Sequence, residues 1–451
     1  MKEIKELKHS VCRYIDENRD CIINLGKDLY AAPETGFREY KTSELLYEKI
    51  QPLVSNIKPA TGIPGFKATF DSGKKGPGVA LLAELDSIIC GEHPDSSSKT
   101  GAVHACGHNM QMAAVFGAAL GMKLAGISEK LAGRIHFIFV PAEEYIEIDF
   151  RMKLREQGKI RYLGGKPEFM SRGFFDDVDM SLMFHARPGV KKVYTSSSLN
   201  GCLIKKIRYI GKPAHAGGAP EEGINALYAA NLGLNAINAR RETFREDQYI
   251  RVHPIITKGG EIVNVIPSDV RIETFIRGKT VDDIKEANMK IDMALAGGAV
   301  AIGSGLEIED IPGYFPVLTD QNLMELAEKE MESLCGKDEI GTVPHSTGST
   351  DIGDLSSIMP VIHPYIGGVA GGLHSAEFRI EDEETAYVLN AKMLACIAIE
   401  LLRVDRVPAD SIIRNYQPHF SSMKKYFEYI DSLFKTKVLN ERYGQNVFDY
   451  I

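Results

Sequence analysis

Two kinds of hydrophobic pattern follow each other along the chain and predict two kinds of sheet. Nearly continuous apolar runs, such as 79–83 and 135–140, suit strands that are buried on both faces beneath helices. We predict strands over 78–86 and 134–140 from these runs, and a further strand over 66–71. Apolar residues at helical spacing predict helices over most of residues 1–50 and over 321–335 and 383–403.

The pattern changes near residue 198 and changes back near residue 315. Between these points apolar residues alternate, as Val270, Ile272 and Ile276 do, which indicates a sheet with one exposed face. The predicted fold is therefore α/β, with a three-layer domain around a mixed, mostly parallel sheet and an inserted, smaller α+β domain. The predicted boundaries are 1–197 and 315–451 for the larger domain and 198–314 for the insert. Its C-terminal extension, 404–451, carries aromatic residues and is predicted to pack on the body.

Composition narrows the class of protein. The chain has 451 residues, a net charge of −8, 44% hydrophobic and 25% charged residues, which fits a two-domain globular protein. A negative charge argues against nucleic acid or an anionic membrane as partner. No apolar run approaches the roughly 18 residues of a membrane span. The first residues lack an apolar signal core, and the seven scattered cysteines do not form a disulfide framework. We therefore expect a cytoplasmic protein.

A thiol and two imidazoles lie within five residues of each other, at His104, Cys106 and His108. Cys106 and His108 are two positions apart, so an extended segment projects both side chains to the same side. A thiolate and a neutral imidazole are ligands for a zinc-like ion. A lone Cys-x-His is also common as a chance or packing pair, so the motif needs support from elsewhere.

Further polar side chains follow the predicted buried strands. Asp86 ends the strand over 78–86, which also carries Glu84, and His185 follows another apolar strand. The pair Glu143 and Glu144 follows 134–140, whereas His136, inside that strand, is predicted to be a packed histidine. Because active sites of α/β folds gather beyond the carboxyl ends of strands, we expect these groups to meet. With His374 from a glycine-rich loop, the donors suffice for two metal ions if the thiolate bridges them, leaving one carboxylate as a general base.

Five segments resemble those of the dinuclear metal amidohydrolase and carboxypeptidase family. They are His-Ala-Cys-Gly-His-Asn, Pro-Ala-Glu-Glu, Ala-His-Ala-Gly-Gly-Ala-Pro-Glu-Glu-Gly-Ile-Asn-Ala, Asn-Val-Ile-Pro and Leu-His-Ser, in order along the chain. The family includes aminoacylases, hippurate hydrolases and indole-acetyl-amino-acid hydrolases. The loop 349–354 and Asn109 most resemble its p-aminobenzoyl-glutamate-hydrolase-like branch.

The resemblance implies a role for each matching residue. The metal ligands would be Cys106 as the bridge, His108 with His185 on one ion, and Glu144 with His374 on the other. Glu143 would be the general base. In the insert, which would be a lid and dimerisation domain, His215 would reach the partner subunit's site and steady the oxyanion. Asn264 and Arg277 would hold the substrate's terminal carboxylate, and Asp86 and Asn109 would support the ligands from behind.

This sequence departs from the family pattern in two places. Much of the branch has Asp where this chain has Asn109, and His or Leu near the position of Gln111, which predicts weaker orientation of His108. The segment 145–172 replaces the glycine that often follows the glutamate pair. We expect it to lie beside the base and to affect substrate choice.

The resulting prediction is a homodimeric enzyme with two divalent ions, manganese or zinc. It would cleave the amide bond of small-molecule substrates, N-acyl- or aminoacyl-amino acids such as dipeptides or aminobenzoyl-glutamate, by attack of metal-bound hydroxide. Two alternatives remain open at this point. One is a cysteine hydrolase that uses Cys106 with His108. The other is a catalytically silent, metal-dependent binding protein.

Overall fold

The computed structural model describes residues 2–439, which divide into two compact units. The larger unit takes in the chain up to Ser197 together with Leu318–His345 and Asp354–His419. The smaller unit takes in Ser198–Val317, Ser346–Gly353 and the described chain from Phe420 onward. Each unit has a hydrophobic core of its own.

A six-stranded mixed sheet forms the centre of the larger unit. Of the five pairings between neighbouring strands, the first two in the spatial order are antiparallel and the other three are parallel. The strands in spatial order are Asn56–Pro59, Phe66–Asp71, Arg134–Val140, Gly78–Glu84, Met180–Leu182 and Val361–Ile362. Gly78–Glu84 is buried at every position, because its apolar run lies between two neighbouring strands and under helices. The predicted α/β class and the mostly parallel sheet are confirmed.

Helices cover this sheet. His108–Leu124 is buried over most of its length, since small and apolar residues face the sheet on one side and other helices on the other. The α-helices of the unit are Lys2–Glu17, Arg19–Ala31, Tyr40–Ile50, His108–Leu124, Ile148–Glu156, Gly165–Ser171, Gln321–Cys335, Asn390–Leu401 and Val407–Asn415. Short 3₁₀ turns occur at Gln51–Leu53, Ile127–Glu129 and Lys337–Glu339, and a π-helical segment, Glu384–Leu389, leads into Asn390–Leu401.

A second, four-stranded sheet of the larger unit brings two site-bearing segments together. Its order is Ile340–Val343, Val193–Ser196, Tyr365–Ile366 and His185–Ala186. Two short hairpins, Ile88–Ile89 with Ala102–Val103 and Val369–Ala370 with Arg379–Ile380, carry the neighbouring loops.

The smaller unit is an antiparallel sheet with two helices on one face. The long strands Gly201–Ile210 and Asp269–Gly278 pair along their whole length. Buried Ile207, Ile272 and Ile276 face the helices, as alternation predicts. The sheet order is Arg251–Val252, Asp269–Gly278, Gly201–Ile210, Gly305–Pro312 and Lys435–Leu439, with Ile255–Lys258 also paired to Asp269–Gly278. The two helices on the sheet are Ala226–Arg240 and Val281–Ile302, and a third helix of the unit is Met423–Ser432. Short 3₁₀ turns occur at Pro220–Glu222, Arg241–Thr243 and Glu246–Gln248. Ser198–Leu199, Val317–Leu318 and Ile352–Ser356 lie at sequence boundaries between the units.

The structure differs from the sequence prediction in the C-terminal region. The prediction placed 315–451 in the larger domain, but residues 420–439 group with the smaller unit. The reason is that Lys435–Leu439 pairs with Gly305–Pro312 and that Lys437 Nζ lies 2.6 Å from Asp310 Oδ2. The part of the packing prediction that concerns residues 440–451 lies outside the described residues.

The loop predicted at 349–354 is also different. Thr350, Asp351 and Asp354 are buried, and a helical turn, Ile352–Ser356, begins inside the segment. Within residues 2–439, no helix combines the length and the apolar character that crossing a bilayer requires.

Candidate metal centre

Cys106 lies at the centre of a cluster of imidazoles and carboxylates in the larger unit. Its Sγ is 3.3 Å from His185 Nε2 and 3.2 Å from His374 Nε2. Gly107 turns the chain with a φ of +83°, and a Cβ there would lie 2.5 Å from the Ala186 side chain. Only glycine meets both conditions without strain, so this residue fixes how the Cys-Gly-His segment enters its helix.

Two groups of donor atoms share the Cys106 sulfur. One group contains Cys106, His108 and His185, and the other contains Cys106, Glu144 and His374; within each group the atoms lie within 4.8 Å of one another. The structure therefore brings together all five residues that the sequence predicted as metal ligands. Glu143 belongs to a third group with Glu84 and His108.

Backbone and carboxylate oxygens aim the imidazoles at the sulfur. His108 Nδ1 lies 2.8 Å from the Asp86 carbonyl oxygen and 3.3 Å from Asp86 Oδ1. His185 Nδ1 lies 3.0 Å from the Ala186 carbonyl oxygen. Because Nδ1 donates in both rings, Nε2 carries the lone pair that a cation needs. Asp86 also accepts a hydrogen bond from the Glu144 backbone N–H at 2.9 Å, so it contacts both the glutamate loop and His108.

The charges in the cluster stabilise each other. Burial and Glu144 raise the pKa of the Cys106 thiol, but His185, His108 and His374 outweigh them and lower it to about 6. Burial lowers the pKa of His374, but Glu144 and Cys106 together raise it by more, so that it reaches about 11. The pKa of Glu144 stays below its usual range because His374 and His108 outweigh its burial. Cys106 is thus held as a thiolate, the form that binds metal.

The donor set fits two divalent ions. Metal–ligand bonds of about 2.0–2.3 Å place two donors on one ion roughly 3–3.6 Å apart, and the His374 Nε2–Glu144 Oε1 distance is 3.0 Å. Glu144 Oε1 and His108 Nε2 are buried and make no hydrogen bond of acceptable geometry. Buried polar atoms of this kind are unusual unless they bind an ion. Sulfur, nitrogen and oxygen donors together suit a transition-metal or zinc-like cation.

The loop that carries Glu143 and Glu144 is held from beneath by two buried polar side chains, those of Glu39 and Arg151. Glu39 Oε1 accepts a hydrogen bond of 2.7 Å from the backbone N–H of Ala142, which has a φ of +58°. The Arg151 guanidinium donates to the carbonyl oxygens of Ala142 (3.1 Å), Leu163 (2.8 Å) and Glu144. These contacts hold a strained loop in one conformation.

Asn109 does not lie where the sequence predicted. Its Nδ2 donates to the Gly26 carbonyl oxygen at 3.1 Å and lies 3.0 Å from the Tyr387 hydroxyl. It therefore joins two helices of the core, and of the two residues predicted to support His108 only Asp86 contacts its ring. Without a carboxylate at position 109, the orientation of His108 is unaffected, because the side chain turns away from the ring.

The remaining predicted residues, His215, Asn264 and Arg277, belong to the smaller unit. His215 is exposed, and its Nδ1 accepts the backbone N–H groups of Gly217 (3.2 Å) and Gly218 (2.9 Å). The neutral ring therefore carries its proton on Nε2 as a donor. Asn264 lies beside it, since its carbonyl oxygen accepts from Ala216 N at 3.0 Å.

Arg277 lies on the sheet of the smaller unit, on the face away from the two helices. Its guanidinium lies 5.3 Å from the centre of the Phe275 ring, two residues earlier in the same strand. Stacking of this kind holds the planar fork in place and leaves its edge for an anion.

Single-sequence patterns did not reveal the contacts of four supporting residues, although Glu84 had been named as a strand-end carboxylate and Gln111 as a departure from the family pattern. Glu84, Gln111 and Lys166 form a buried network behind His108, and Arg151 holds the glutamate loop. The signal for Lys166 and Arg151 was present only as an unexplained basic stretch beside the glutamate pair.

Comparison with known proteins decides the family. The profile of peptidase family M20/M25/M40 matches residues 80–400. The chain belongs to peptidase family M20/M25/M40. A mouse protein named Xaa-Arg dipeptidase is 27% identical over 422 residues, which cover 89% of this chain and 90% of that protein. One of the subunits of Escherichia coli p-aminobenzoyl-glutamate hydrolase is 27% identical over 332 residues, 70% of this chain and 64% of that protein.

A solved structure gives the same fold. The crystal structure of a dinuclear metal-binding M20 peptidase from Bacillus subtilis matches 86% of this chain and 99% of its own, with 20% identity and a TM-score of 0.64. Family membership makes this M20 chain a metal-dependent hydrolase of amide bonds, as the motif resemblance predicted, and its donor groups around Cys106 suit two divalent ions.

Proposed function

We propose that this M20 enzyme cleaves the amide bond of N-acyl- or aminoacyl-amino acids that carry a free carboxylate. Dipeptides and aminobenzoyl-glutamate-like compounds belong to this class. The observation that carries the proposal is the pair of donor groups sharing Cys106, with the Glu143 carboxylate beside them. The names of the mouse and Escherichia coli relatives support the same substrate class.

Glu143 is the proposed general base. Two divalent ions in the donor groups would polarise the scissile carbonyl and lower the pKa of a nearby water. Glu143 accepts the proton of the attacking water and delivers it to the departing amine nitrogen. The Arg151 and Glu39 contacts with its loop keep this carboxylate in place during both transfers.

The residues of the smaller unit act on the substrate. His215 offers Nε2–H as a donor to the developing oxyanion in the partner subunit's site, because backbone N–H groups occupy Nδ1. Arg277 binds the substrate carboxylate with two parallel hydrogen bonds, and the Asn264 amide adds a further donor. The substrate's free carboxylate thus fixes which amide is cleaved.

A substrate panel tests the proposal. The purified protein, loaded separately with manganese and zinc, is incubated with N-acyl amino acids, dipeptides and aminobenzoyl-glutamate, and released amine is measured by mass spectrometry. We expect turnover of at least one substrate, and loss of at least about 100-fold in kcat/KM when its terminal carboxylate is converted to an amide. Equal turnover of acid and amide would contradict the carboxylate clamp.

Two other functions predict different outcomes of the same experiment. A cysteine hydrolase with Cys106 as nucleophile and His108 as base would be indifferent to a chelator, whereas the proposed enzyme loses activity and regains it with added ion. A catalytically silent binding protein would retain substrates without releasing amine. The sulfur contacts His185 and His374 in a shared cluster, which favours the metal-dependent reaction.

We also propose a homodimer formed through the smaller unit. Its helix Ala226–Arg240 exposes Tyr228 (61%) and Leu232 (40%), and the neighbouring edge strand exposes Ile255 (62%) and Ile256 (44%). Apolar side chains concentrated on one helix and one sheet edge are typical of an interface. Ile255→Asp is expected to produce monomers in analytical ultracentrifugation, and an unchanged dimer would contradict this surface. We propose zinc or manganese as the metal, of which the thiolate favours zinc. We also propose a cytoplasmic location.

A further inference from the structure

A buried ion pair lies directly behind His108. Glu84 is the last residue of the strand Gly78–Glu84, and Lys166 is the second residue of the helix Gly165–Ser171; both side chains have no exposed surface. Lys166 Nζ lies 2.5 Å from Glu84 Oε1. Removing both charges from water costs more than their attraction returns unless further contacts compensate for it. The pair therefore calls for a reason beyond stability.

Gln111 fixes the same carboxylate from the other side. Its Nε2 donates to Glu84 Oε2 at 2.9 Å, and its Oε1 accepts the Glu84 backbone N–H at 2.9 Å. The hydrogen bond to the backbone holds Gln111 in place, and its bond to Oε2 together with the Lys166 bond to Oε1 orients the Glu84 carboxylate. Gln111 and His108 are three residues apart in the first turn of one helix, so they face the same way. Gln111, which stands where much of the family branch has His or Leu, thus points the Glu84 carboxylate toward the metal-ligand cluster.

The Glu84 carboxylate faces Nε2 of His108, the ring nitrogen that is available to a cation. Glu84 Oε2 lies 3.1 Å from His108 Nε2, yet this nitrogen has no hydrogen bond of acceptable geometry. Its ring partner atom, Nδ1, already lies against Asp86. Two donors that are this close, without a proton shared between them, have the spacing of two ligands of one ion.

We propose that Glu84 is an additional ligand of the ion held by His108 and His185, with Lys166 and Gln111 as positioning residues. The inference rests on the proposed two-metal centre and deepens it. Glu84 would add a carboxylate to the thiolate and two imidazoles at that ion; it shares His108 with their donor group and also lies in a group with Glu143. Cys106, Glu144 and His374 would offer the other ion three protein donors. We therefore expect the first ion to bind more tightly than the second, which would lie beside the half-exposed His374.

Cobalt(II) titration of the metal-free full-length protein tests this assignment. Visible absorption reports coordination, and the sulfur-to-cobalt charge-transfer band reports binding at Cys106. The wild type is expected to bind two ions in a tight class and a weaker class. Glu84→Gln, which keeps the size of the side chain, is expected to weaken only the tight class, by about 100-fold or more, and to change its d–d bands.

Glu168→Gln is the matched control. Glu168 is also buried beside a cation, Arg172, but it bonds the backbone of Arg161 and Tyr162 away from the cluster. This variant is expected to bind cobalt as the wild type does. If Glu84→Gln unfolds because Lys166 loses its partner, Glu84→Gln with Lys166→Met removes both charges and gives the same readout. Folding is checked by circular dichroism.

Each outcome decides the question. Unchanged d–d bands in Glu84→Gln, whatever the affinity, would overturn the ligand role, because a carboxylate acting only through His108 leaves the coordination number as it is. A wild type that binds fewer than two ions would overturn the two-metal centre and this inference together. A wild type that binds two ions but cleaves no amide would refute the proposed substrate alone.

Discussion

Arg151 provides a test of whether the glutamate loop must be held from beneath. Its guanidinium is fully buried and donates to three backbone carbonyl oxygens, those of Ala142, Leu163 and Glu144. Arg151→Met leaves these acceptors without a donor in a dry environment. At about 1–3 kcal/mol for each unsatisfied buried group, the free energy of unfolding is expected to fall by roughly 3–5 kcal/mol.

The effect on catalysis follows from the same contacts. Glu143 and Glu144 lie next to Ala142, whose φ of +58° is maintained by Glu39 and Arg151. A shift of about 1 Å in a catalytic group costs about 100-fold in rate. We therefore expect kcat of Arg151→Met to fall by about that factor with KM within about threefold. Arg151→Lys keeps the charge but not the fork and should recover stability more than kcat.

The assay pairs urea unfolding with steady-state kinetics on the best substrate of the panel. Arg155→Met is the matched control, because Arg155 lies one turn further along the same helix and contacts a carbonyl oxygen at the surface. The control is expected to change neither quantity appreciably. If Arg151→Met retains full kcat, or loses less than about 1 kcal/mol of stability, the loop does not depend on this residue and the reasoning fails.

Two further predictions concern the role of Glu143 as general base and the stability of the fold at low pH. Glu143→Gln is expected to retain its metal content by elemental analysis while kcat falls about 100- to 10 000-fold; near-normal turnover would remove Glu143 from the base role. Burial lowers the pKa of His136 to about 4 in the folded chain. Between pH 6.5 and pH 4 the unfolded chain therefore binds a proton on this residue that the folded chain does not bind. Stability is therefore expected to fall by about 3 kcal/mol between pH 6.5 and 4 from this residue. In urea titrations with chelator present, His136→Gln should flatten the slope in that window, and an unchanged slope would contradict this assignment.

The strands of the larger unit were predictable because their apolar runs have few alternatives. Gly78–Glu84 and Arg134–Val140 lie within the predicted limits, since their nearly continuous apolar runs are short and suit strands covered on both faces. The predicted strand 360–366 was less simple. It divides into Val361–Ile362 and Tyr365–Ile366, which belong to different sheets, because the chain changes direction at His363 and Pro364.

The ligands could be predicted for a related reason. Glu144 and His185 follow strands that neighbour Gly78–Glu84 in parallel, so their exits lie at one edge of the sheet, whereas Cys106 follows the hairpin strand Ala102–Val103. His374 could be chosen only through the family resemblance, since nothing in a glycine-rich loop indicates where its histidine lies. In the structure its backbone N–H bonds the Ala105 carbonyl oxygen at 2.9 Å, which fixes the loop against the Cys-Gly-His segment.

The supporting residues could not be predicted because their partners are distant in sequence. Lys166 pairs with Glu84 across 82 positions, and Asn109 finds Tyr387 across 278 positions. The sequence suggested that Asn109 weakens His108, but the short side chain at this helix position faces another helix. Tail residues 420–439 were misplaced because aromatic residues predict packing without saying against which unit.

The central claim is that the Cys106 sulfur is shared by two cations. Anomalous diffraction from crystals of the zinc- or manganese-loaded protein tests it most directly. The account predicts two peaks, each about 2.3 Å from Cys106 Sγ, one beside His108 and His185 and the other beside Glu144 and His374. A single peak, or two peaks of which neither or only one contacts the sulfur, would contradict it.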